Sequence, residues 1–309
     1  MAILLSSNAQ WVLVSTFLLG IAAGLIGTLS YWKQQSLMSD ALAHAALPGI
    51  VLAFIVLREK NLLVLIIGAT ISGLIGAFCI QWIRSFSRIK DDAAMGMILS
   101  VFFGLGIMLL TIANRLPGGN QSGLESFIFG QAAAMVKQDV YIMSLLALVV
   151  ILAVVLLFKE WKLLLFDPAF GQGLGLPIRF LNGFYTVLLV LAVVIGLQAV
   201  GVILIAALLI IPPVSARYWT HSFKGMLVLS ALFGGFSGAV GTLISAMGSG
   251  WPTGPFIIVT AACLFLTSLI FGLEKGLLVQ YLLHRRQKRS VSPKPIPPDW
   301  GMPPKVREG

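Results

Sequence analysis

Apolar runs that contain no Asp, Glu, Lys or Arg make up most of the chain. A helix needs about 20 apolar residues to cross the hydrocarbon core of a bilayer, and ionisable groups are rare in that core because they are costly to bury there. The runs also lack the period-two alternation of membrane-barrel strands. Each of the first five runs fits one crossing, and each of the last two fits two: 1–32, 41–57, 61–83, 93–114, 140–158, 180–216 and 225–273.

This pattern predicts an all-α polytopic membrane protein with eight or nine transmembrane helices. The two longest runs break at 198–201 (QAVG) and 248–255 (GSGWPTGP), where glycine and proline interrupt the apolar sequence. The segment 201–216 is short for a full crossing and ends at Pro212 and Pro213, so we expect a short, tilted helix there. Counting it as a crossing gives nine helices and places the N-terminus outside; leaving it out gives eight.

Composition excludes a soluble domain. Hydrophobic residues make up 58% of the chain and charged residues 10%, whereas soluble domains carry about 25% charged residues. The mean hydropathy is +0.98. The formal net charge is +10, and Lys and Arg collect in cytoplasmic loops of membrane proteins. With a cytoplasmic C-terminus and nine crossings, most basic residues lie inside, which supports that orientation.

The charge is concentrated in a C-terminal tail, and this divides the chain into a transmembrane domain, 1–283, and a tail, 284–309. A basic segment directly after a membrane helix binds anionic headgroups, so we expect the lipid bilayer and no nucleic acid as its partner. The tail is also rich in proline, which is typical of extended or disordered chain: Pro293, Pro295, Pro297, Pro298, Pro303 and Pro304.

One ionisable pair lies within an apolar segment. Asp40 and His44 are four residues apart in SDALAHAALPG (39–49), so on a helix they share one face. A carboxylate and an imidazole together suit ions such as Zn(II) and Mn(II) and discriminate poorly between them. Pro48 predicts a helix break on the ion pathway, where a freed backbone carbonyl one turn beyond His44 would offer a third oxygen. In the alternative interpretation, Asp40 caps the helix and His44 is a buried, hydrogen-bonded residue. Two ligands are also an incomplete site, which a two-fold dimer would complete.

The sequence carries no motif for bond chemistry. HExxH, GxSxG and the GxxxxGK[ST] phosphate loop are all missing from the chain. We therefore expect a non-enzyme, in which any ATP dependence comes from another subunit.

The segment 159–179 (KEWKLLLFDPAFGQGLGLPIR) joins two apolar runs and is long enough for a short helix. Asp167 and Pro168 fit the N-cap and the first position of that helix, and Phe166 and Phe170 would project from it. An exposed aromatic pair on a short helix fits a groove on a partner protein. An amphipathic helix lying on the headgroups is the alternative.

Six segments carry a resemblance that covers about residues 10–280. They are SLMSDALAHAALPGIVLAF (36–54), DDAAMGMILSVFFGLGI (91–107), ESFIFG (125–130), FDPAFGQGLGLP (166–177), LQAVGVILIAALLIIPP (197–213) and PTGP (252–255). In their order and spacing they resemble the metal-type permeases of ATP-binding-cassette transporters, the membrane subunits of bacterial manganese, zinc and iron importers.

The resemblance implies a multi-pass protein of the bacterial plasma membrane in which two permease subunits, identical or sister chains, surround a central path. It also implies a dimer of cytoplasmic ATPases and an extracytoplasmic metal-binding receptor. Asp40 and His44 would coordinate the transported Mn, Zn or Fe ion, with no permanently bound cofactor. The residues expected to contact the ATPase are Phe166, Asp167, Pro168 and Phe170.

Two other functions stay open at this point. An ATP-independent metal transporter or channel needs no ATPase, but it often carries several intramembrane carboxylates, whereas Asp40 is the one acid well placed here. An ATP-driven importer of a chelated metal, such as a siderophore or cobalamin, uses a related architecture.

Overall fold

The computed structural model describes residues 7–57, 61–115, 136–248 and 251–281. The regular elements in these ranges are helices. In chain order they are α1 (Ser7–Trp32), α2 (Met38–Leu57), α3 (Leu62–Phe86), α4 (Asp91–Arg115), α5 (Lys137–Leu156), α6 (Phe158–Phe166), α7 (Pro168–Gly173), α8 (Ile178–Val200), α9 (Val202–Arg217), α10 (Phe223–Met247) and α11 (Thr253–Phe271).

Eight of the described helices are long and apolar enough to cross a membrane, namely α1 to α5, α8, α10 and α11. The apolar helix α9 is shorter. Gly201, with φ of 95°, separates α8 from α9, at the break that the sequence predicts. The prediction of an all-α polytopic membrane protein is therefore confirmed for the described part of the chain.

The short helix that the sequence predicts near 201–216 is present as α9, Val202–Arg217. Pro212 and Pro213 lie inside the helix, which continues to Arg217. A proline removes its own backbone donor, and in a membrane bundle neighbouring groups compensate for that loss. The ESFIFG segment (125–130) and the tail (284–309) lie outside the described residues, as does part of the GSGWPTGP break.

The most buried crossings are α1, α8 and α2, whereas α4, α11 and α5 lie at the periphery. Helices α1 and α10 approach closely at Gly24, whose carbonyl accepts a hydrogen bond of 2.7 Å from Ser230 Oγ. Thr16 and Thr242 join the same two helices through their hydroxyls, 2.8 Å apart. Small and hydroxyl residues at such contacts are typical of membrane helix pairs.

Basic residues collect at one end of the bundle, which we call the basic end. This end carries the α1–α2 and α3–α4 connections, α6, α7 and the α9–α10 connection. Two described cations, Arg115 and Lys137, lie at the opposite end. Those at the basic end are Lys33, Arg84, Arg88, Lys90, Lys159, Lys162, Arg179, Arg217, Lys224 and Lys275.

Candidate metal site and the loop at the basic end

Asp40 and His44 lie one turn apart in the first half of α2. Asp40 Oδ1 is 3.6 Å from His44 Nε2, longer than a hydrogen bond, so both groups are available to a shared ligand. Their side chains are 35% and 15% exposed. All the remaining residues from Met38 to Val51 are buried. The two ionisable side chains are therefore the open positions on an otherwise enclosed stretch of helix.

The position of the pair bears on the alternative structural roles. Helix α2 begins at Met38, so Asp40 lies within the first turn, after the cap position, where its charge also favours the helix dipole. His44 Nδ1 is buried and has no hydrogen-bond partner among the described residues. A histidine held only for structure normally has its ring nitrogens satisfied. The described residues therefore give His44 Nδ1 no structural hydrogen bond.

Small residues fix the backbone of α2 against α3 beside the pair. Ser72 Oγ donates a 2.7 Å hydrogen bond to the Ala45 carbonyl. Gly49 and Gly68 cross so closely that a Cβ on Gly68 would lie 2.5 Å from the Gly49 carbonyl oxygen. Because backbone contacts backbone here, with no flexible side chain between, the crossing holds the turn that carries His44 in a fixed position.

Helix α4 supplies the aromatic wall of the site. The ring of Phe103 meets the His44 ring edge to face, with centroids 4.9 Å apart. One turn further along α4, Gly106 packs on Leu47 and Pro48. Pro48 itself lies within the continuous helix α2. Phe103 lies in the 91–107 segment, but no local pattern in the sequence pairs it with His44, so sequence reasoning missed it.

Within the described part of the chain, the pair supplies only part of what a metal site needs. No group of three or more His, Cys, Asp and Glu side chains comes together there. A carboxylate and one imidazole supply two ligands, whereas Zn(II) sites in proteins usually have four. A metal ion at the pair would therefore need ligands beyond these described side chains.

The loop at the basic end forms two short helices, where the sequence predicted one. Helix α6 (Phe158–Phe166) is held by Trp161, which is buried. Helix α7 begins at Pro168, with Asp167 as its N-cap: the Asp167 carboxylate accepts a 2.9 Å hydrogen bond from the Phe170 backbone N–H. The predicted cap, first position and aromatic spacing are all present. The Phe170 side chain is 56% exposed.

The Phe166 side chain is 49% exposed, and its ring also packs against the bundle. Its ring lies 4.9 Å from the ring of Trp32 and 5.7 Å from that of Phe223, measured between centroids. Phe158 stacks on Phe223 at 5.5 Å, and the Arg217 guanidinium lies 5.3 Å from the Trp32 ring centre. We call Trp32, Phe158, Phe166 and Phe223 the aromatic cluster. It connects the loop with α1 and α10.

Lys33 is a half-buried cation at the basic end. Its ammonium donates a hydrogen bond to Asn182 Oδ1 and lies 4.3 Å from the ring centre of Tyr185. Burial, and secondarily the positive charge of Arg84, lowers the pKa of Lys33 to about 8. The sequence gives no sign of this environment because Lys33 simply follows the last apolar residue of the first run.

Comparison with known proteins places the chain in a family. The model of the ABC 3 transport family matches residues 6–272. The manganese transport system membrane protein MntC of Bacillus subtilis is 48% identical over 92% of this chain, which spans 66% of that relative's length. The zinc transport system membrane protein TroC of Treponema pallidum is 40% identical over 91% of this chain and 94% of its own length.

A solved structure agrees in fold. PsaBC from Streptococcus pneumoniae, determined in complex with Fab, matches with a TM-score of 0.77 and 32% sequence identity. The match covers 90% of this chain and 95% of the other. The family resemblance predicted from the six sequence segments is thus confirmed over residues 6–272, and the chain belongs to the ABC 3 transport family.

Proposed function

We propose that this chain is the membrane-spanning subunit of an ATP-binding-cassette importer that moves a divalent transition metal, manganese, zinc or iron, into the cytoplasm. The observation that carries the proposal is the Asp40–His44 pair, open on a stretch of α2 that is otherwise buried. Manganese and zinc, the metals named for the relatives, both bind mixed carboxylate and imidazole ligands.

The metal ion is the cargo of this site. A carboxylate near the path offsets part of the free energy that a divalent ion loses when it sheds water. His44 ligates through an unprotonated ring nitrogen, so protons compete with the metal.

A second permease subunit completes the site in this proposal. Helix α4 flanks the pair through Phe103, and its outer face is unusually exposed within the single chain, as at Val101 and Met108. A two-fold partner packed on this side would bring a second carboxylate and imidazole towards the same axis. Four protein ligands would then surround the ion.

The basic end faces the cytoplasm in this arrangement, because it collects the described cations. Helix α11 ends there, so the tail that follows is cytoplasmic. The ATPase dimer binds at α6 and α7, where the Phe170 side chain extends from the loop, and the chain itself performs no bond chemistry. The metal-binding receptor delivers the ion at the opposite end.

The test is metal uptake by a deletion strain that carries variant permeases. Asp40→Ala and His44→Ala should each abolish uptake of radioactive manganese and zinc, while the amount of permease assembled with its ATPase stays normal. Asp92→Ala is the matched control, since Asp92 is an exposed acid of α4 at the same end, and it should transport normally. Full transport by both site variants would remove the pair from the mechanism.

A second experiment separates the alternatives by energy source and cargo form. Uptake should stop when the partner ATPase cannot hydrolyse ATP. Persistent uptake would indicate a secondary transporter or channel. Free isotope should be imported in preference to the same isotope bound in a siderophore, and the reverse preference would indicate a chelate importer.

A further inference from the structure

A groove on the side of the bundle is separate from the candidate metal site. It encloses about 450 Å³ between α1, α5 and α10, and Phe158 at the start of α6 closes one end. Val155, Val228 and Leu232 line it and are 57%, 51% and 59% exposed. The groove therefore opens on the outer surface of the described bundle.

The depth of the groove matches one leaflet of a bilayer. Its α10 wall runs from Lys224 to Leu232, which at the rise of an α-helix is about 12 Å. Half of a hydrocarbon core about 30 Å thick is ~15 Å. Since Lys224 lies at the basic end, the groove extends from the membrane surface at that end to near the middle of the bilayer.

Charge is confined to the mouth of the groove. Lys224 is the charged residue among those that line it, its side chain is exposed, and no described carboxylate forms an ion pair with it. Lys159, also exposed, follows Phe158 at the same end. An apolar channel of leaflet depth with cations at its surface end complements an anionic lipid, since basic pockets between membrane helices bind anionic headgroups.

We propose that this groove binds one phospholipid with an anionic headgroup, with an acyl chain along α1 and α10 and the phosphate at Lys224. The bound chain contacts Phe158, which stacks on Phe223 of the aromatic cluster. The bound lipid would therefore contact one member of the aromatic cluster. This inference stands on the groove alone and is independent of the metal assignment.

Native mass spectrometry of the full-length purified permease tests the proposal with phosphatidylglycerol and phosphatidylcholine of the same acyl chains. The wild type should retain one phosphatidylglycerol in preference to phosphatidylcholine. One basic residue near the membrane surface contributes about 1 kcal/mol, so Lys224→Ala should lower phosphatidylglycerol retention about fivefold, and Lys224→Arg should restore it. Val228→Trp, which fills the groove at an exposed position, should lower retention of both lipids.

Arg88→Ala is the control, because Arg88 is an exposed cation at the basic end outside the groove, and it should retain lipid as the wild type does. Equal retention of the two lipids by the wild type would overturn the proposal. So would equal behaviour of Lys224→Ala and Arg88→Ala. If Val228→Trp instead shifts the spectrum from dimer to monomer with lipid retention unchanged, a second copy of the chain occupies the groove, and the lipid proposal fails.

Discussion

Two regions of the molecule differ in how they pack: the α2–α3 crossing packs through backbone contacts, whereas the aromatic cluster at the basic end packs through large side chains. At the crossing, Gly49 meets Gly68 backbone to backbone beside the turn that carries His44. In the cluster, large rings meet at their edges, as Trp32 and Phe166 do with an interplanar angle of 61°. Backbone contacts leave no side chain that can rearrange, whereas ring contacts tolerate rotamer changes. We infer that the α2–α3 crossing fixes the position of His44. We infer that the aromatic cluster transmits movement from the loop to α1 and α10.

The largest expected effect is a loss of stability when a methyl group is added at the α2–α3 crossing. Gly49→Ala places a methyl group against the Gly68 carbonyl, and neither backbone can move without shifting a helix. Overpacking of this kind costs about 1–3 kcal/mol or more, so we expect a strong fall in thermal stability and in the yield of folded protein. Thermal unfolding of the purified variant in detergent measures this.

Gly183→Ala is the matched control for that variant. Gly183 is exposed on α8, and apart from the backbone of its own helix no described atom lies within 4 Å of the position that a Cβ would take there. Its alanine variant should therefore unfold like the wild type or at a slightly higher temperature. If Gly49→Ala is as stable as Gly183→Ala, the crossing is not rigid and the contrast between the two regions fails.

The next largest effect is a loss of metal uptake when ring contacts in the aromatic cluster are removed. Trp32→Leu keeps an apolar side chain but removes the ring contacts with Phe166 and Phe223 and the cation–π contact with Arg217. Each such contact contributes about 0.5–1.5 kcal/mol. We expect ATP-driven metal uptake to fall about tenfold, with metal binding by the purified permease unchanged.

Trp11→Leu provides the control on the same helix, since Trp11 lies at the far end of α1 with its ring 5.3 Å from Tyr141. It should leave uptake within about twofold of the wild type. Equal losses from the two tryptophan variants, or weaker metal binding by Trp32→Leu, would show that the cluster has no special part in transmission.

A smaller difference should separate the two phenylalanines of the loop. Phe170→Ala removes an exposed side chain of the proposed ATPase contact, so we expect weaker retention of the ATPase, by about 1 kcal/mol. Thermal stability should stay unchanged, because Phe170 has no aromatic contact among the described residues. Phe166→Ala also removes its contacts with Trp32 and Phe223, so it should lower the unfolding temperature as well. Pull-down of the ATPase together with thermal unfolding distinguishes the two, and identical profiles would contradict the division of roles.

Features that depend on neighbouring residues could be predicted from the sequence, whereas contacts between distant helices could not. The crossings follow from the length of apolar runs, and the Asp167 cap with Pro168 follows from a pattern within a few residues. The Asp40–His44 pair is also local, because a single helical turn places both on one face. By contrast, Phe103 meets His44, and Trp32 meets Phe166 and Phe223, only after distant helices pack. The continuation of α9 through its two prolines likewise depends on surrounding helices, since proline alone predicts a break.

The smallest expected effect is the pH dependence that Lys33 introduces at the edge of the cluster. Its pKa is lowered to about 8 from 10.5, so between these values the unfolded chain holds a proton that the folded chain has lost. Stability contributed by this group is therefore lowest below pH 8 and rises as the pH increases towards 10.5. Relative to Lys33→Met, the wild type should gain about 2–4 °C in unfolding temperature between pH 7 and pH 9.5. Lys162→Met changes an exposed lysine of the same end, and relative to this variant the wild type should show no such gain in unfolding temperature. If the difference in unfolding temperature between the wild type and Lys33→Met stays constant over this pH range, Lys33 keeps its ordinary pKa in the folded protein.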